Sequence, residues 1–363
     1  MKIPLAWKKL DFTLFGLTMV LAVMGVVLVY SAAYHRGAFP LLAFKQLGWV
    51  LVGLVALSFF YIIDYQALLN AAYPLYWLMG GLLLVVLAFG HSSRGSQRWI
   101  NLGLFHFQPS EMAKLVVILS LCRWIIDHPR EIRGFLGLVP IFLVALLPMI
   151  LIIRQPDLGT ALVILPIAFT LMFVGGARAW HLLVVLAGMA LSAPLAWHFL
   201  KDYQRRRLLT FLNPQSDALG AGYNLIQSKI AIGSGGLWGA GFLKGTQSQL
   251  NFIPMHHTDF IFSVLGEEWG LAGCSLVLLL YLLLLLQCVK IAIQAKDLPG
   301  TLLSSGIIAL LAAHIVINVG MTVGLLPVTG LTLPLLSYGG SSILLNMICI
   351  GILLNVRRES AGY

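Results

Sequence analysis

Residues 251–270 read NFIPMHHTDFIFSVLGEEWG, and the place of the three carboxylates in this stretch settles the class of the chain. Polar sequence passes here into a strongly apolar run, with Asp259 at the junction and Glu267 and Glu268 inside it. Ionisable groups are costly in hydrocarbon and are retained there chiefly where they work or are paired. Thr258 suits a helix N-cap, which would put Asp259 in the first turn, where free amides favour an anion. A carboxylate so placed can accept a proton from a hydroxyl, hold a divalent cation, or simply cap the helix. Glu267 lies eight residues on, about 12 Å deeper at 1.5 Å per residue. It is therefore expected to support Asp259 from below, while Glu268, one step around, pairs within the bundle.

The rest of the chain agrees with a membrane setting. Of 363 residues, 60% are apolar and 10% charged, against about 25% charged in soluble domains. This excludes a soluble enzyme and predicts an all-α, polytopic integral membrane protein. Ten transmembrane helices are expected near 12–31, 44–63, 73–90, 109–126, 135–153, 158–174, 179–200, 258–289, 302–323 and 334–356. The first follows Lys2, Lys8 and Lys9, is about as long as a bilayer span and lacks a small-residue cleavage site, so it is expected to be retained. Basic residues concentrate at the N-terminus, after spans four, six and eight, and in the C-terminal tail, which predicts that both ends are cytoplasmic. The chain reads as a single domain, 1–363, with a large extracytoplasmic loop, 201–257, between helices seven and eight. That loop is too long for ordinary connection. Its second half is rich in glycine with no run long enough to cross, which predicts a tightly folded or re-entrant segment.

The net charge of +10 is scattered over loops, without the basic patch that nucleic acid needs. Anionic headgroups or a phosphorylated lipid are the better partners. Cys122, Cys274, Cys288 and Cys349 lie in apolar runs without paired spacing and read as buried small hydrophobes.

Further polar residues group toward the outer face. Gln108-Pro109-Ser110-Glu111-Met112-Ala113-Lys114 opens the fourth span, with Pro109 fit for the first turn. Glu111 and Lys114, three apart, must neutralise each other in the membrane. The pair is equally a packing ion pair or a device that orients Asp259. Arg94 and Arg98, with Trp99, form a short outer loop suited to phosphate oxygens or to interfacial anchoring. Arg154 belongs to a similar outer turn, where it either joins them or pairs with Asp157. Near the last span, Pro327, Gly330, Pro334, Gly339 and Gly340 interrupt apolar sequence, and Ser337 and Tyr338 are candidates to line a polar groove for sugar hydroxyls. His181, His198 and His314 stand in apolar surroundings and read as hydrogen-bonded packing residues.

The motifs RGSQRWINLG, QPSEMAK, QPDLGTA, NLIQSKIAIGSGGLWGAGFLKGTQSQLNFIP, HTDFIFSVLGEEWG and GMTVGLLPVTGLTLPLLSYGGSS resemble the successive signatures of the SEDS (shape, elongation, division and sporulation) family. GTQSQL before HTDFIF resembles its elongation branch more than its division branch. The resemblance implies a peptidoglycan glycosyltransferase that polymerises lipid II into β-1,4-linked glycan and releases undecaprenyl diphosphate in the bacterial cytoplasmic membrane. On it, Asp259 matches the family's essential aspartate, as catalytic base or ligand of a divalent cation (Mg or Mn), and Glu111 and Lys114 match its QPSE..K motif. Arg94, Arg98 and Arg154 would neutralise the leaving diphosphate. Implied partners are lipid II, the undecaprenyl-diphosphate-linked glycan, a class B penicillin-binding transpeptidase and rod-complex membrane proteins. One departure is Met255, where the family commonly has Glu. The competing expectations are a lipid II flippase or transporter, or a non-enzymatic scaffold.

Overall fold

Long Leu, Val, Ile and Ala runs must satisfy their own backbone polar groups in hydrocarbon, and the α-helix does so within one segment. The computed structural model describes residues 10–34, 41–93, 96–101, 103, 106–218, 220, 222–250 and 252–360. From the N-terminus come α1 (Phe12–Ala33), α2 (Leu41–Ile62), the short α3 (Tyr65–Asn70) and α4 (Ala72–Phe89). A small antiparallel sheet, β1 (His91–Ser93), β2 (Ser96–Asn101) and β3 (His106–Phe107), then leads into α5 (Pro109–Asp127). After α6 (Val139–Arg154), α7 (Leu158–Val174) and α8 (Ala179–Phe199), the long loop carries α9 (Asp202–Leu212), α10 (Tyr223–Ser234) and the single turn α11 (Thr246–Gln249). The chain ends with α12 (Ile261–Ile293), α13 (Leu298–Val323) and α14 (Gly340–Ser360).

Among the described residues, seven helices, those at Phe12–Ala33, Leu41–Ile62, Ala72–Phe89, Leu136–Arg154, Ile261–Ile293, Leu298–Val323 and Gly340–Ser360, are long and apolar enough to cross a membrane. The chain is thus a multi-pass membrane protein. Leu158–Val174 and Ala179–Leu195 are apolar but shorter. α5 has 19 residues, and Glu111, Lys114 and Arg123 dilute its apolar character. Of the seven, α13 and α14 are the most enclosed; α5 is also buried along most of its length, and α14 packs along α2. α8 stands at the periphery: Leu182 is its one buried residue among those whose side chains are described, and Leu191 and Leu195 are exposed.

Two of the expected spans depart most from the structure. The last helix starts at Gly340 rather than near residue 334, because residues 324–339 are non-helical. Pro327 and Pro334 have no N–H to give, and Gly330 and Leu335 adopt left-handed φ values of 78° and 66°. The overlong eighth span is one continuous run only in sequence. At Gly270 (φ 64°, ψ −161°) α12 breaks, in a region that residues with a Cβ hardly populate.

The glycine-rich loop segment fills this break. The Ala240 and Gly241 amides donate to the carbonyls of Glu267 (2.9 Å) and Glu268 (3.0 Å), and the Leu271 and Ala272 amides donate to the carbonyls of Gly236 (2.9 Å) and Leu237 (3.0 Å). The backbone groups that the break frees are satisfied by the folded-back loop, as a buried break requires. A Cβ on residue 270 would meet the Leu237 carbonyl oxygen at 2.7 Å. Gly270→Ala is therefore expected to destabilise the protein by about 2–3 kcal/mol and to speed proteolysis of the loop, measurable by a melting curve in detergent and timed digestion.

Candidate active site

Asp259 stands in the turn before α12, outside the helical span. Thr258 does not cap the helix as expected: its amide and its hydroxyl both donate to the Met255 carbonyl, each at 3.1 Å. The turn is closed before the helix begins, and Phe260 flanks the first helical residue without a side-chain cap. Asp259 is half-buried, opposite the chain that joins α13 to α14. Asn318 Nδ2 donates to the Asp259 carbonyl (2.9 Å) and to the Leu331 carbonyl (2.6 Å), holding the two segments side by side. The Ser337 hydroxyl accepts from the Leu333 amide (2.8 Å) and donates to the Thr258 carbonyl (2.6 Å). The Tyr338 amide donates to the His257 carbonyl (2.9 Å). Ser337 is thus buried and taken up in stitching the site together, while Tyr338, half-buried, sets its ring near that of His257.

Gly330 borders the carboxylate. A Cβ there would lie 3.3 Å from Asp259 Oδ2, and its φ of 78° disfavours any side chain. Gly330→Ala is expected to lower turnover by about tenfold or more, since small displacements of reacting groups carry large rate penalties, with the protein still folded by size-exclusion chromatography.

Burial pushes the Asp259 carboxyl up, to about 6, with Asp157 adding to the rise, while the Thr258 hydroxyl, Arg98 and Arg207 act against it. Arg98 is bound to the α6–α7 turn. Its Nε donates to the Gln155 carbonyl (3.2 Å), its Nη2 to the Pro156 carbonyl, and its Nη1 lies 3.6 Å from Asp157 Oδ1. Asp157 caps α7 and also accepts from Thr160 Oγ1 (2.9 Å) and Gln108 Nε2 (3.2 Å). Arg98 thus fastens the α6–α7 turn while lending positive charge to Asp259. Arg154 ends α6 and is exposed. Arg94 lies outside the described residues.

Glu267 does not face Asp259 from below. It accepts from the Gln247 amide (2.6 Å), the Ser248 amide (3.0 Å) and the Thr246 hydroxyl (3.3 Å), so it anchors α11 of the loop. The helix geometry that gave its depth could not foresee that the loop folds back to that depth. Glu268 accepts from the Ser31 hydroxyl of α1, a pairing within the bundle as expected.

Glu111 and Lys114 are buried and paired, Lys114 Nζ donating to Glu111 Oε1 at 2.8 Å. The same ammonium lies 2.8 Å from His314 Nε2, and His314 Nδ1 lies 3.1 Å from the Thr332 carbonyl. His314 is accordingly part of a polar chain, not an isolated packing histidine. Its signal in the sequence was the Asn318 one turn further along the same helix face.

Among the described residues, no group of three or more His, Cys, Asp or Glu is arranged to hold a metal ion. Asp259 offers a single carboxylate, and the oxygens of Asp157 are already engaged. The chain's own described residues therefore do not build a cation site unaided.

A helical membrane protein with one half-buried carboxylate braced by Asn318, an adjacent Arg98–Asp157 turn and a buried Glu111–Lys114 pair is the class that these features define. The cell cycle protein family of FtsW, RodA and SpoVE matches residues 11–362, and the chain belongs to this family. It is 41% identical over 357 residues to the peptidoglycan glycosyltransferase MrdB of Escherichia coli, covering 96% of this chain and 94% of that protein. It is 37% identical over 365 residues to stage V sporulation protein E of Bacillus subtilis, covering 96% and 97%. Among solved structures, a chain of a peptidoglycan synthase complex that coordinates polymerization and crosslinking is similar with a TM-score of 0.83 at 38% identity, over 97% of this chain and 98% of that one. The rod shape determining protein RodA of Thermus thermophilus gives a TM-score of 0.70 at 32% identity, over 96% and 97%.

Proposed function

We propose that the chain is a peptidoglycan glycosyltransferase that polymerises lipid II during cell elongation. The observation that carries the mechanism is the Asp259 carboxylate, half-buried and fixed at its backbone by Asn318. In this reading an oxygen of Asp259 takes the proton from the 4-hydroxyl of the N-acetylglucosamine unit of incoming lipid II. The freed oxygen attacks the anomeric carbon of the N-acetylmuramic acid unit at the end of the growing chain. The bond from that carbon to the diphosphate breaks, its electron pair leaving with undecaprenyl diphosphate, and the proton on Asp259 passes to solvent. One displacement on an α-linked donor gives the β-1,4 bond.

The exposed Arg154, with Arg94, is proposed to meet the departing diphosphate, whereas Arg98 acts by its charge from the α6–α7 turn. Were a divalent cation, Mg or Mn, to accompany the diphosphate, Asp259 would be the residue to hold it and the ion would offset the diphosphate charge; no step above depends on it. The orientation is proposed to be outward for Asp259, with ten crossings and both termini in the cytoplasm. Proposed partners are a class B penicillin-binding transpeptidase, which would crosslink the emerging glycan, and the rod-complex membrane proteins.

The test is the purified full-length protein with lipid II in detergent. Glycan strands are expected without a second compartment. A flippase would move labelled lipid II across vesicles and form no glycosidic bond, and a scaffold would do neither; either result overturns the proposal.

A further inference from the structure

The ion pair of α5 and the turn that bears Asp259 belong to different elements, and one side chain of α13 bridges the gap. We propose that His314 is a positioning residue that uses the Lys114 ammonium to hold the Leu331–Thr332 backbone against the Asp259 turn.

The geometry fixes the direction of every bond. A Lys ammonium can only donate, so at 2.8 Å the His314 Nε2 must accept from Lys114 Nζ. The imidazole proton then sits on Nδ1, which faces the Thr332 carbonyl at 3.1 Å and needs that proton to bond it. Lys114 thus selects the tautomer that grips Thr332, as a partner on one ring nitrogen sets the role of the other. Glu111 Oε1 completes the line at 2.8 Å from Lys114. His314 and Asn318 lie four apart on one face of α13, and Asn318 joins Leu331 to Asp259. The two side chains are successive rungs on the same strand of backbone. All three polar residues are buried, Lys114 at 0%, His314 at 4% and Asn318 at 0% exposure, so water cannot replace a lost rung at little cost. Thr332 is also tied through its hydroxyl to Ser342 Oγ (2.8 Å), in the first turn of α14. Loosening this strand would move Gly330, whose backbone borders the Asp259 carboxylate.

Two substitutions separate this role from simple filling of space. His314→Leu removes both bonds. His314→Gln keeps a carbonyl oxygen for Lys114 and an amide N–H for Thr332. Hydrogen–deuterium exchange of the 329–336 segment in the purified protein is the direct readout, with lipid II turnover and KM beside it. His314→Leu is expected to speed exchange in that segment about tenfold, the size of one buried hydrogen bond, and to lower turnover by a similar factor with KM changed less than about threefold. His314→Gln is expected to return exchange and turnover to within about threefold of the unsubstituted protein. Wild-type exchange in His314→Leu, or equal loss in both variants, overturns the proposal. If His314→Leu does not fold, His314→Gln still decides: native protection supports the clamp and raised exchange overturns it. The turnover arm rests on the glycosyltransferase reading. A wild-type protein that makes no glycan removes that reading alone and leaves the exchange arm intact.

Discussion

Asp259→Asn is expected to cut polymerisation of lipid II about 10²- to 10⁴-fold, the usual contribution of a positioned general base, while the protein stays folded. Asparagine keeps the shape of the side chain and leaves the carbonyl bond from Asn318 untouched. Burial raises the Asp259 carboxyl to about 6, so at neutral pH, where it is ionised folded and unfolded alike, folding costs on the order of 2–3 kcal/mol more than with an unperturbed carboxyl. The sign follows from the raised value: the stabilisation belongs to the protonated acid and is lost as pH rises through about 6. A neutral amide removes that cost, and Asp259→Asn should melt no lower than the unsubstituted protein at pH 7 to 8. Activity runs the other way with pH. The base must be ionised, so wild-type turnover should fall about tenfold per pH unit below about 6 and level off above it. Glycan yield equal to wild type from Asp259→Asn, or a turnover profile flat across pH 5 to 7, would remove the carboxylate from the chemistry.

Lys114→Met should have the second largest effect, this time on the fold. Glu111 is buried, its Oε2 has no hydrogen-bond partner among the described residues, and Lys114 supplies the bond to Oε1. Removing the ammonium leaves an uncompensated buried carboxylate, at a cost of about 3–5 kcal/mol. A large drop in melting temperature is expected. The double substitution Glu111→Gln with Lys114→Met removes both charges and should regain most of that stability. Its turnover separates the two meanings the pair carries in the sequence. Recovery of stability with turnover still down by about tenfold or more assigns the pair to the site, through the tautomer of His314. Recovery of both leaves it a packing ion pair.

Much of this architecture could be read from the residues because hydrocarbon constrains sequence severely. Most apolar runs become helices within a few residues of their expected ends, and Leu158–Val174 matches to the residue. The Glu111–Lys114 pair follows from the same rule, since a buried cation three residues from a carboxylate has few other options. Long-range placement is not legible in this way. His314 gains its partners from α5 and from the α13–α14 connection, which no local pattern brings together. Thr258 looks like a cap because Ser and Thr favour that position, yet Met255, in a left-handed conformation at φ 57°, closes a turn that takes both of its donors. The place of Glu267 escapes a helix drawn as continuous, which hides the break at Gly270 and the loop that occupies it.

That break makes α12 a composite of two stretches of chain. Four backbone bonds join the loop to the helix on either side of Gly270, and three more from α11 reach Glu267. A partner protein gripping the 201–257 loop would therefore hold a lever on the helical segment just after Asp259, and would retune the carboxylate without ever touching it.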